Sequence, residues 1–217
     1  MHYIELSDVT FAYAPDEPAV FCGFSFFAKK GECVIVRGDN GTGKSTLFRL
    51  LNGLSFPQKG RFMFDGEEIT AAYLKDNRNA KGFHKRIGYL FQNADIMLFN
   101  GKVYDEVAFG PRQMGLPEAD VKQRTEDCLA LFDIMDLSDK APYHLSGGQK
   151  KKVAFAAVLS LSPDVVILDE PFAGLDRKTA AQVVDLLYSL KKSGKTIILA
   201  THLDEMPDDL YDRVVCL

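Results

Sequence analysis

The chain has 217 residues, of which 47% are hydrophobic, and this is enough for one folding unit with a sizeable core. Its formal net charge of -4, with lysine and arginine scattered along the sequence, argues against tight binding to nucleic acid, which needs a concentrated basic surface. The longest apolar runs are far shorter than the roughly 20 residues of a membrane helix, so we expect any membrane role to go through a partner.

The cysteines show neither a CxxC pair nor the Cys/His spacing of a metal site, and the first residues do not form a basic-then-apolar targeting segment. We therefore expect reduced thiols in the cytosol. The residues concerned are Cys22, Cys33, Cys128 and Cys216.

Alternating apolar residues predict two strands near the start of the chain, over residues 3–13 and 20–28. A turn-rich connection at residues 14–18 leaves Tyr13 at a strand end. Its aromatic face could stack on a nucleotide base there, but an ordinary strand aromatic is an equally good interpretation from these residues alone.

A glycine-rich sequence follows the next apolar run. Residues 38–45 read GDNGTGKS and fit the pattern G-x-x-x-x-G-K-[ST], directly after apolar residues 33–36 and before helix-forming residues 46–51. In such a bend, backbone N–H groups at a helix N-terminus can surround phosphate oxygens. The alternative is a glycine-rich turn ahead of a capped helix. We predict a nucleotide-binding P-loop whose phosphate-binding residues are Gly38, Asn40, Gly41, Thr42, Gly43, Lys44, Ser45 and Thr46.

The side chains of this loop predict two tasks. Lys44 can reach the terminal phosphates, and the Ser45 hydroxyl suits Mg²⁺, which prefers oxygen ligands.

The middle of the chain changes from strand to helix periodicity. Residues 62–66 and 86–91 are predicted as strands, with Gln92 ending the second, while the polar residues 70–83 predict a mobile excursion without regular structure. From Pro117 onward apolar residues recur at helical spacing, which predicts a helix core. These core positions are Val121, Thr125, Cys128, Leu129, Phe132 and Met135.

Residues 145–149, LSGGQ, form a second glycine turn that opens a helix, so they predict a second anion-binding helix start. Three lysines, residues 150–152, follow in the first turn, where the helix dipole disfavours positive charge. Either a nearby phosphate or a solvated charged face would offset that cost, and the solvated face is favoured for at least two of the three.

An apolar run at residues 165–169 predicts a parallel strand buried on both faces, and residues 196–201 and 213–217 predict further strands of this kind. The first run ends in acids. In a P-loop protein this position suits Asp169 as a Mg²⁺ ligand and Glu170 as the general base that activates water. A helix cap is the alternative interpretation of this acidic pair.

Six features follow one another along the chain: the P-loop, Gln92, the LSGGQ segment, the acidic strand end, residues 173–176 (AGLD) and His202. In this order they resemble the nucleotide-binding subunit of ABC transporters. The resemblance implies that Tyr13 stacks on adenine, that Gln92 contacts the metal and senses the partner, and that His202 reaches the γ-phosphate. Taken alone, His202 is more simply an ordinary strand-end histidine. The resemblance also implies that Asp176 crosses a dimer seam and that a signature turn closes over the ATP of a second subunit. That turn consists of Ser146, Gly147, Gly148 and Gln149.

Residues 91–99 and 107–111 narrow the resemblance to the ATPases of energy-coupling factor importers, which take up cobalt, nickel and vitamins. Family members usually carry Pro, Asp and Gln where this chain has Ala94, Ile96 and Met97, so the contact to the membrane protein is expected to differ.

The resemblance implies an α/β fold: a P-loop NTPase with a mostly parallel sheet core, an N-terminal antiparallel β subdomain and an inserted helical subdomain. We expect one ABC ATPase domain over residues 1–217, with the core and β subdomain in 1–92 and 164–217 and the helical subdomain in 93–163.

By the same resemblance, the expected function is Mg-ATP hydrolysis that energises uptake of a metal ion or vitamin. ATP and Mg²⁺ are the expected cofactors. The expected partners are a transmembrane coupling protein, a substrate-binding membrane protein, and a second copy or a paralogous ATPase, with the chain peripheral at the cytoplasmic face of the membrane. Alternatives are a non-transport ABC ATPase acting in DNA maintenance or translation, and a small-molecule kinase or GTPase. The chain lacks the long coiled coils or second cassette of the former and the N-K-x-D segment of GTPases, and LSGGQ has no role in a kinase.

Overall fold

The computed structural model describes residues 2–201 and 206–217. The chain divides into two compact units, of which unit 1 comprises Met1–His84 with Leu186–Leu217 and unit 2 comprises Lys85–Asp185. Among the described residues, every helix is too short or too polar to cross a membrane.

Helices and strands alternate along most of the chain. In chain order they are β1 (Ile4–Phe11), β2 (Phe21–Ala28), β3 (Cys33–Arg37), α1 (Lys44–Leu51), β4 (Lys59–Phe64), β5 (Glu67–Glu68), α2 (Ala71–Lys75), α3 (Asn77–Arg86), β6 (Ile87–Leu90), α4 (Val103–Gln113), α5 (Glu118–Leu131), α6 (Gly147–Leu159), β7 (Val165–Asp169), α7 (Arg177–Lys192), β8 (Thr196–Ala200) and β9 (Arg213–Cys216). Short 3-10 turns lie at Ala94–Ile96, Met135–Leu137 and Pro142–His144.

Unit 1 contains an antiparallel sheet with the strand order β2-β1-β4-β5. In β1 the buried residues are Ile4 and Leu6 and then Val9 and Phe11, so the alternation shifts by one residue between the two pairs. The shift coincides with an irregularity in the pairing of β1 with both neighbours and with Asp8, whose φ of 52° is left-handed. A β-bulge adds one residue to a strand, and this keeps all four apolar side chains on the buried face.

Unit 1 also contains parallel strands, with β3 paired to β8 on one side and to β9 on the other. All five residues of β8 and the first four of β3 are buried. Such continuous burial is typical of parallel strands covered on both faces, and it confirms the interpretation of these apolar runs. Helix α1 follows β3 after the glycine-rich bend and buries Leu47, Phe48, Leu50 and Leu51 completely.

Unit 2 combines a parallel strand pair with helices. Strands β6 and β7 pair in register from Ile87 with Val165 to Leu90 with Leu168, and both are buried along their whole length. Helix α6 packs closely on β6, because a Cβ atom added to Gly88 would lie 2.6 Å from Val158 Cγ1. Helices α4, α5 and α6 contact one another.

Three sequence-based predictions about the fold are wrong. Residues 213–217 do contain a strand, β9, but none of the residues of β9 is buried, so it is not covered on both faces. Residues 70–83 are not an irregular excursion, since α2 and α3 occupy most of this range. Phe83 is buried and packs edge-on against Phe64, with 5.6 Å between the ring centroids. Met135 is not a core residue. Helix α5 ends at Leu131, Asp133 turns the chain with a left-handed φ of 54°, and the Met135 side chain is exposed. The predicted bounds of a helical subdomain, 93–163, stay a prediction.

Candidate functional site

The predicted P-loop lies between β3 and α1 in unit 1. Gly43 is the residue before α1, and its φ of 105° lies in the left-handed region. A Cβ atom added there would lie 2.9 Å from Phe21 Cζ and 3.0 Å from Val20 Cγ1, so only glycine fits. Because glycine has no side chain, it cannot cap the helix with a side-chain hydrogen bond. This is the helix start that favours an anion.

The Lys44 ammonium lies against the bend itself. Its Nζ donates hydrogen bonds to the carbonyl oxygens of Gly38, at 2.6 Å, and Asp39, at 2.9 Å. The Thr42 hydroxyl also donates to Asp39 O, at 3.0 Å. The bend is therefore held by its own side chains, among them the lysine that is expected to meet the terminal phosphates. Asn40, Gly41 and Ser45 are exposed.

Tyr13 is brought to the same helix. Strand β1 ends at Phe11, and two residues later the Tyr13 hydroxyl lies 2.9 Å from the hydroxyl of Thr46 on α1. The ring packs edge-on against Phe11, with 5.0 Å between ring centroids, and 55% of the residue is exposed. The structure thus places a half-exposed aromatic ring beside the P-loop helix. The sequence alone could not predict this proximity.

The acidic strand end lies in unit 2. Asp169 is the last residue of β7 and is buried, with the Tyr89 hydroxyl 3.5 Å from its Oδ2 atom. Glu170 follows, also buried, with a left-handed φ of 48°. The alternative interpretation of this pair as a helix cap is wrong, because α7 begins only at Arg177.

The cap of α7 is Asp176. Its carboxylate accepts hydrogen bonds from the Thr179 N–H, at 2.8 Å, and from the Thr179 hydroxyl, at 3.1 Å. These hydrogen bonds stabilise the charged form and hold the pKa of Asp176 below its usual value. The residue expected at a dimer seam therefore also fixes the start of a helix. His202 lies outside the described residues.

The LSGGQ turn begins α6 as expected, and its polar side chains form a capping box. The Ser146 N–H donates to Gln149 Oε1 at 3.0 Å, and the Gln149 N–H donates to Ser146 Oγ at 3.4 Å. Sequence reasoning missed this role, although the spacing S-x-x-Q is its signal. The box fixes the turn, while Gly147 in its first helical position stays exposed.

The lysines after this turn differ from expectation, because residues 150 and 151 are not a solvated face. Lys150 Nζ lies 2.6 Å from a carboxylate oxygen of Asp95. Lys151 is buried, and its Nζ donates to the carbonyl oxygens of Glu170, at 2.6 Å, and Gln92, at 3.5 Å. Carboxylate and carbonyl oxygens of the protein offset the cost of these two cations near the positive end of the helix.

The residues after Gln92 carry exposed apolar side chains. Ile96 and Phe99 are 69% and 66% exposed, and Phe99 packs edge-on against Phe109 of α4, with ring centroids 4.9 Å apart. Met97 and Leu98 are only half-exposed. Phe99 and the exposed Tyr143 both line a surface pocket of about 150 Å³. We call Ile96, Phe99, Phe109 and Tyr143 the docking surface.

A buried carboxylate holds this segment, and sequence reasoning missed it. Glu106 of α4 accepts hydrogen bonds through one oxygen from the backbone N–H groups of Phe99, at 2.9 Å, and Asn100, at 2.7 Å. An isolated glutamate in a helical pattern carries no signal for such a role. It fixes the chain at Phe99, so that the ring of this residue is presented to solvent.

Residues 21–173 match the family model for the ABC transporter domain. The chain belongs to the ABC transporter family. A nickel import ATP-binding protein, LarO of Lactiplantibacillus plantarum, is 48% identical over 98% of this ABC chain and 87% of its own length. The energy-coupling factor transporter ATP-binding protein EcfA of Methanocaldococcus jannaschii is 44% identical over 99% of the chain and 75% of its own length. A solved ATP-binding cassette, described as a dimer in a post-hydrolysis state with ADP and Pi, superposes with a TM-score of 0.88 at 25% identity, covering 99% of this chain and 94% of that one.

These comparisons confirm the fold expected from the sequence, a P-loop α/β protein with a mostly parallel sheet core, an antiparallel β subdomain and an inserted helical part. They also confirm the prediction that the chain is an ABC transporter ATPase, which binds and hydrolyses ATP, and that it resembles the energy-coupling factor type. They give no support to a role in DNA maintenance or translation.

Proposed function

We propose that this ABC ATPase hydrolyses Mg-ATP between two paired ATPase chains and thereby energises uptake of a metal ion or vitamin through separate membrane proteins. The names of two relatives, one for nickel import and one for an energy-coupling factor transporter, support this class of cargo. The observation that carries the proposal is that one chain has two glycine turns, each at the start of a helix, together with an exposed apolar docking surface.

Nucleotide binding is assigned to the first of these turns. The Lys44 ammonium, now bonded to two carbonyl oxygens of the bend, is the cation that meets the terminal phosphates, and the first N–H groups of α1 bind phosphate oxygens. The half-exposed ring of Tyr13 stacks on adenine, fixed at its hydroxyl end by Thr46. The remaining phosphate-binding residues of the turn are Gly38, Asn40, Gly41, Thr42, Gly43 and Ser45.

The residues assigned to Mg²⁺ have suitable chemistry. Mg²⁺ prefers hard oxygen donors. The assigned residues supply a hydroxyl at Ser45, an amide oxygen at Gln92 and a carboxylate at Asp169. When bound, the ion neutralises charge on the phosphate oxygens. Tyr89, whose hydroxyl approaches Asp169 Oδ2, orients that carboxylate.

Glu170 is the proposed general base. It is a buried carboxylate directly after Asp169, the proposed Mg²⁺ ligand, so it is the carboxylate assigned to accept a proton from the attacking water. His202 is assigned to the γ-phosphate from the family resemblance, and Gln92 links the metal to the segment that follows it.

The second glycine turn needs a second chain. We assign Ser146, Gly147, Gly148 and Gln149 to the ATP held by a partner ATPase, with Asp176 at the seam between the chains. The capping box already uses the side chains of Ser146 and Gln149, so the exposed backbone at Gly147 and the positive end of α6 are what this turn offers to a γ-phosphate. The partner is a second copy or a paralogous ATPase. A dimeric relative of the same fold supports the arrangement.

The docking surface is assigned to a transmembrane coupling protein, which works with a separate substrate-binding membrane protein. Exposed apolar side chains that lie close together, as those of Phe99, Phe109 and Tyr143 do, usually mark an interface. We therefore assign the ATPase to the cytoplasmic face of the membrane, as a peripheral subunit. The net charge of -4 gives no support to a nucleic-acid partner.

The test is co-purification of the chain with membrane proteins, using Ile96→Asp against the control Leu131→Asp. Both residues are apolar and more than half exposed, but Leu131 is outside the docking surface, at the end of α5. We expect Ile96→Asp to lose the membrane proteins and keep its ATP hydrolysis, and Leu131→Asp to retain both. Mass spectrometry of the retained proteins identifies the coupling and substrate-binding chains. Retention of the membrane proteins by Ile96→Asp would refute the assigned surface.

A further inference from the structure

Lys151 is a buried lysine whose position the family resemblance does not explain. It lies in α6, two residues after the LSGGQ turn, and is only 4% exposed. Its Nζ reaches the carbonyl oxygen of Glu170, at 2.6 Å, and approaches that of Gln92, at 3.5 Å. One ammonium therefore connects the helix of the signature turn to the backbone of two residues with proposed roles in hydrolysis.

Burial of this cation is costly. Removal from water lowers the pKa of Lys151, while the negative charges of Glu170 and Asp169 act in the opposite direction. A buried cation stabilises a fold weakly, and an apolar side chain of similar volume often does as well or better. Packing alone therefore does not account for a lysine at this position.

The backbone of Glu170 offers a reason. Its φ of 48° is left-handed, a conformation that glutamate adopts only when its surroundings hold it there. The Glu170 carbonyl accepts hydrogen bonds from Lys151 Nζ and, at 3.2 Å, from the Ala173 N–H. These two donors fix the direction of the carbonyl. Because the carbonyl and the side chain leave the same residue, they also fix the direction in which the carboxylate leaves the backbone.

We propose that Lys151 is a positioning residue for ATP hydrolysis, which holds Glu170 in its left-handed conformation and ties both Glu170 and Gln92 to the start of α6. The inference rests on the proposed role of Glu170 as general base. Lys151 touches neither ATP nor the attacking water in this account. It acts by keeping the Glu170 carboxylate at the place where it can accept a proton.

The experiment measures steady-state ATP hydrolysis and thermal unfolding of the whole chain for Lys151→Met, Lys151→Gln and the control Lys122→Met. Methionine has a similar length without a donor, glutamine keeps N–H donors, and Lys122 is an exposed lysine of α5 in the same unit. We expect Lys151→Met to lower kcat by about 10- to 100-fold with KM for ATP within about twofold, since misplacement of a catalytic group by about 1 Å has effects of this size.

The same variant is expected to remain folded at the assay temperature. The substitution removes the cost of burying a charge, and the Glu170 carbonyl retains the Ala173 N–H. Lys151→Gln should recover part of kcat because it restores a donor, and Lys122→Met should match the unaltered chain. A wild-type kcat in Lys151→Met overturns the inference. So does a loss of kcat that is matched by unfolding at the assay temperature, because Lys151 would then serve stability alone.

Glu170→Gln separates this inference from the function on which it rests. If Glu170→Gln is inactive while Lys151→Met is fully active, the positioning role alone fails. If Glu170→Gln keeps wild-type turnover, the general-base assignment and the inference fail together. In the double variant we expect the effect of Lys151→Met to disappear, since a positioning residue has nothing left to position. A further full-size decrease in the double variant would overturn the inference.

Discussion

Lys44→Ala tests the P-loop assignment most simply. The substitution removes the only side-chain ammonium that contacts the bend within the described residues, while leaving the glycines that shape the bend unchanged. We predict a large loss of ATP affinity with a small loss of stability, because the lysine faces the phosphate position and contributes little to the core.

Both magnitudes can be worked out from the contacts. A hydrogen bond to a charged group contributes about 1.5–3 kcal/mol, so loss of the lysine-phosphate interaction should weaken ATP binding by about 10- to 150-fold, at about 1.4 kcal/mol per factor of ten. In the free protein Lys44 donates to the carbonyls of Gly38 and Asp39, and Gly38 is half-exposed and Asp39 exposed, so water can replace the lost donor. We expect a net cost of about 1 kcal/mol, which lowers the melting temperature by about 2–4 °C for a chain of this size.

Titration with a fluorescent ATP analogue measures the affinity, and thermal unfolding measures the stability. Lys30→Ala is the matched control, since Lys30 is an exposed lysine of the same unit that lies over the Tyr3 ring, 5.5 Å from its centroid. Wild-type affinity in Lys44→Ala, or an equal loss in Lys30→Ala, would refute the assignment. A melting temperature lowered by 10 °C or more would show instead that Lys44 supports the fold, and the estimate of about 1 kcal/mol would be wrong.

Three further predictions concern catalysis, packing and thiol reactivity. Glu170→Gln should bind ATP normally but hydrolyse it about 10²- to 10⁴-fold more slowly in a phosphate-release assay, the usual contribution of a general base; turnover near wild type would remove the residue from the mechanism. Gly88→Ala should lower the free energy of unfolding by about 1–3 kcal/mol in urea, because the added methyl group meets Val158 on α6, and an unchanged midpoint would contradict this packing. With a thiol reagent at pH 8, two thiols per folded chain should react and two should be protected. Burial raises the pKa of Cys33 to about 12 and that of Cys128 to about 11, so these two thiols form less thiolate. Four thiols that react equally fast would contradict this prediction. The reactive pair is Cys22 and Cys216, and the protected pair is Cys33 and Cys128.

The parts of the fold that the sequence predicts well depend on neighbours along the chain. The P-loop is a local pattern in which strand, glycine bend and helix follow one another within twenty residues, so spacing alone locates Lys44 and Gly43. The buried parallel strands β7 and β8 are equally evident, because a strand covered on both faces has a continuous apolar run.

The parts that the sequence does not predict depend on contacts between distant residues. Lys151 meets the carbonyl of Glu170 across 19 residues and that of Gln92 across 59, and nothing in three consecutive lysines indicates which one is buried. Helix α3 was missed for the same reason. Its residues are mostly polar, and one buried side chain, Phe83, fixes it against the phenylalanines of β4.

The roles of Glu106 and Tyr13 could not be predicted from these residues alone. The Glu106 carboxylate is identifiable only once the backbone N–H groups of Phe99 and Asn100 lie beside it. From the residues alone, base stacking by Tyr13 and an ordinary strand aromatic were equally good interpretations, and only the family resemblance favoured stacking. The hydrogen bond to Thr46 then showed that Tyr13 lies beside the P-loop helix.

In the proposed function, ATP joins two chains through the P-loop of one and the signature turn of the other. Static light scattering of Glu170→Gln tests it directly, because this variant should bind Mg-ATP and hydrolyse it slowly. We predict a dimer with Mg-ATP, a monomer with ADP, and a monomer in both conditions once Ser146→Arg is added to block close approach. A Glu170→Gln protein that binds ATP but stays monomeric at tens of micromolar would contradict pairing of two identical chains.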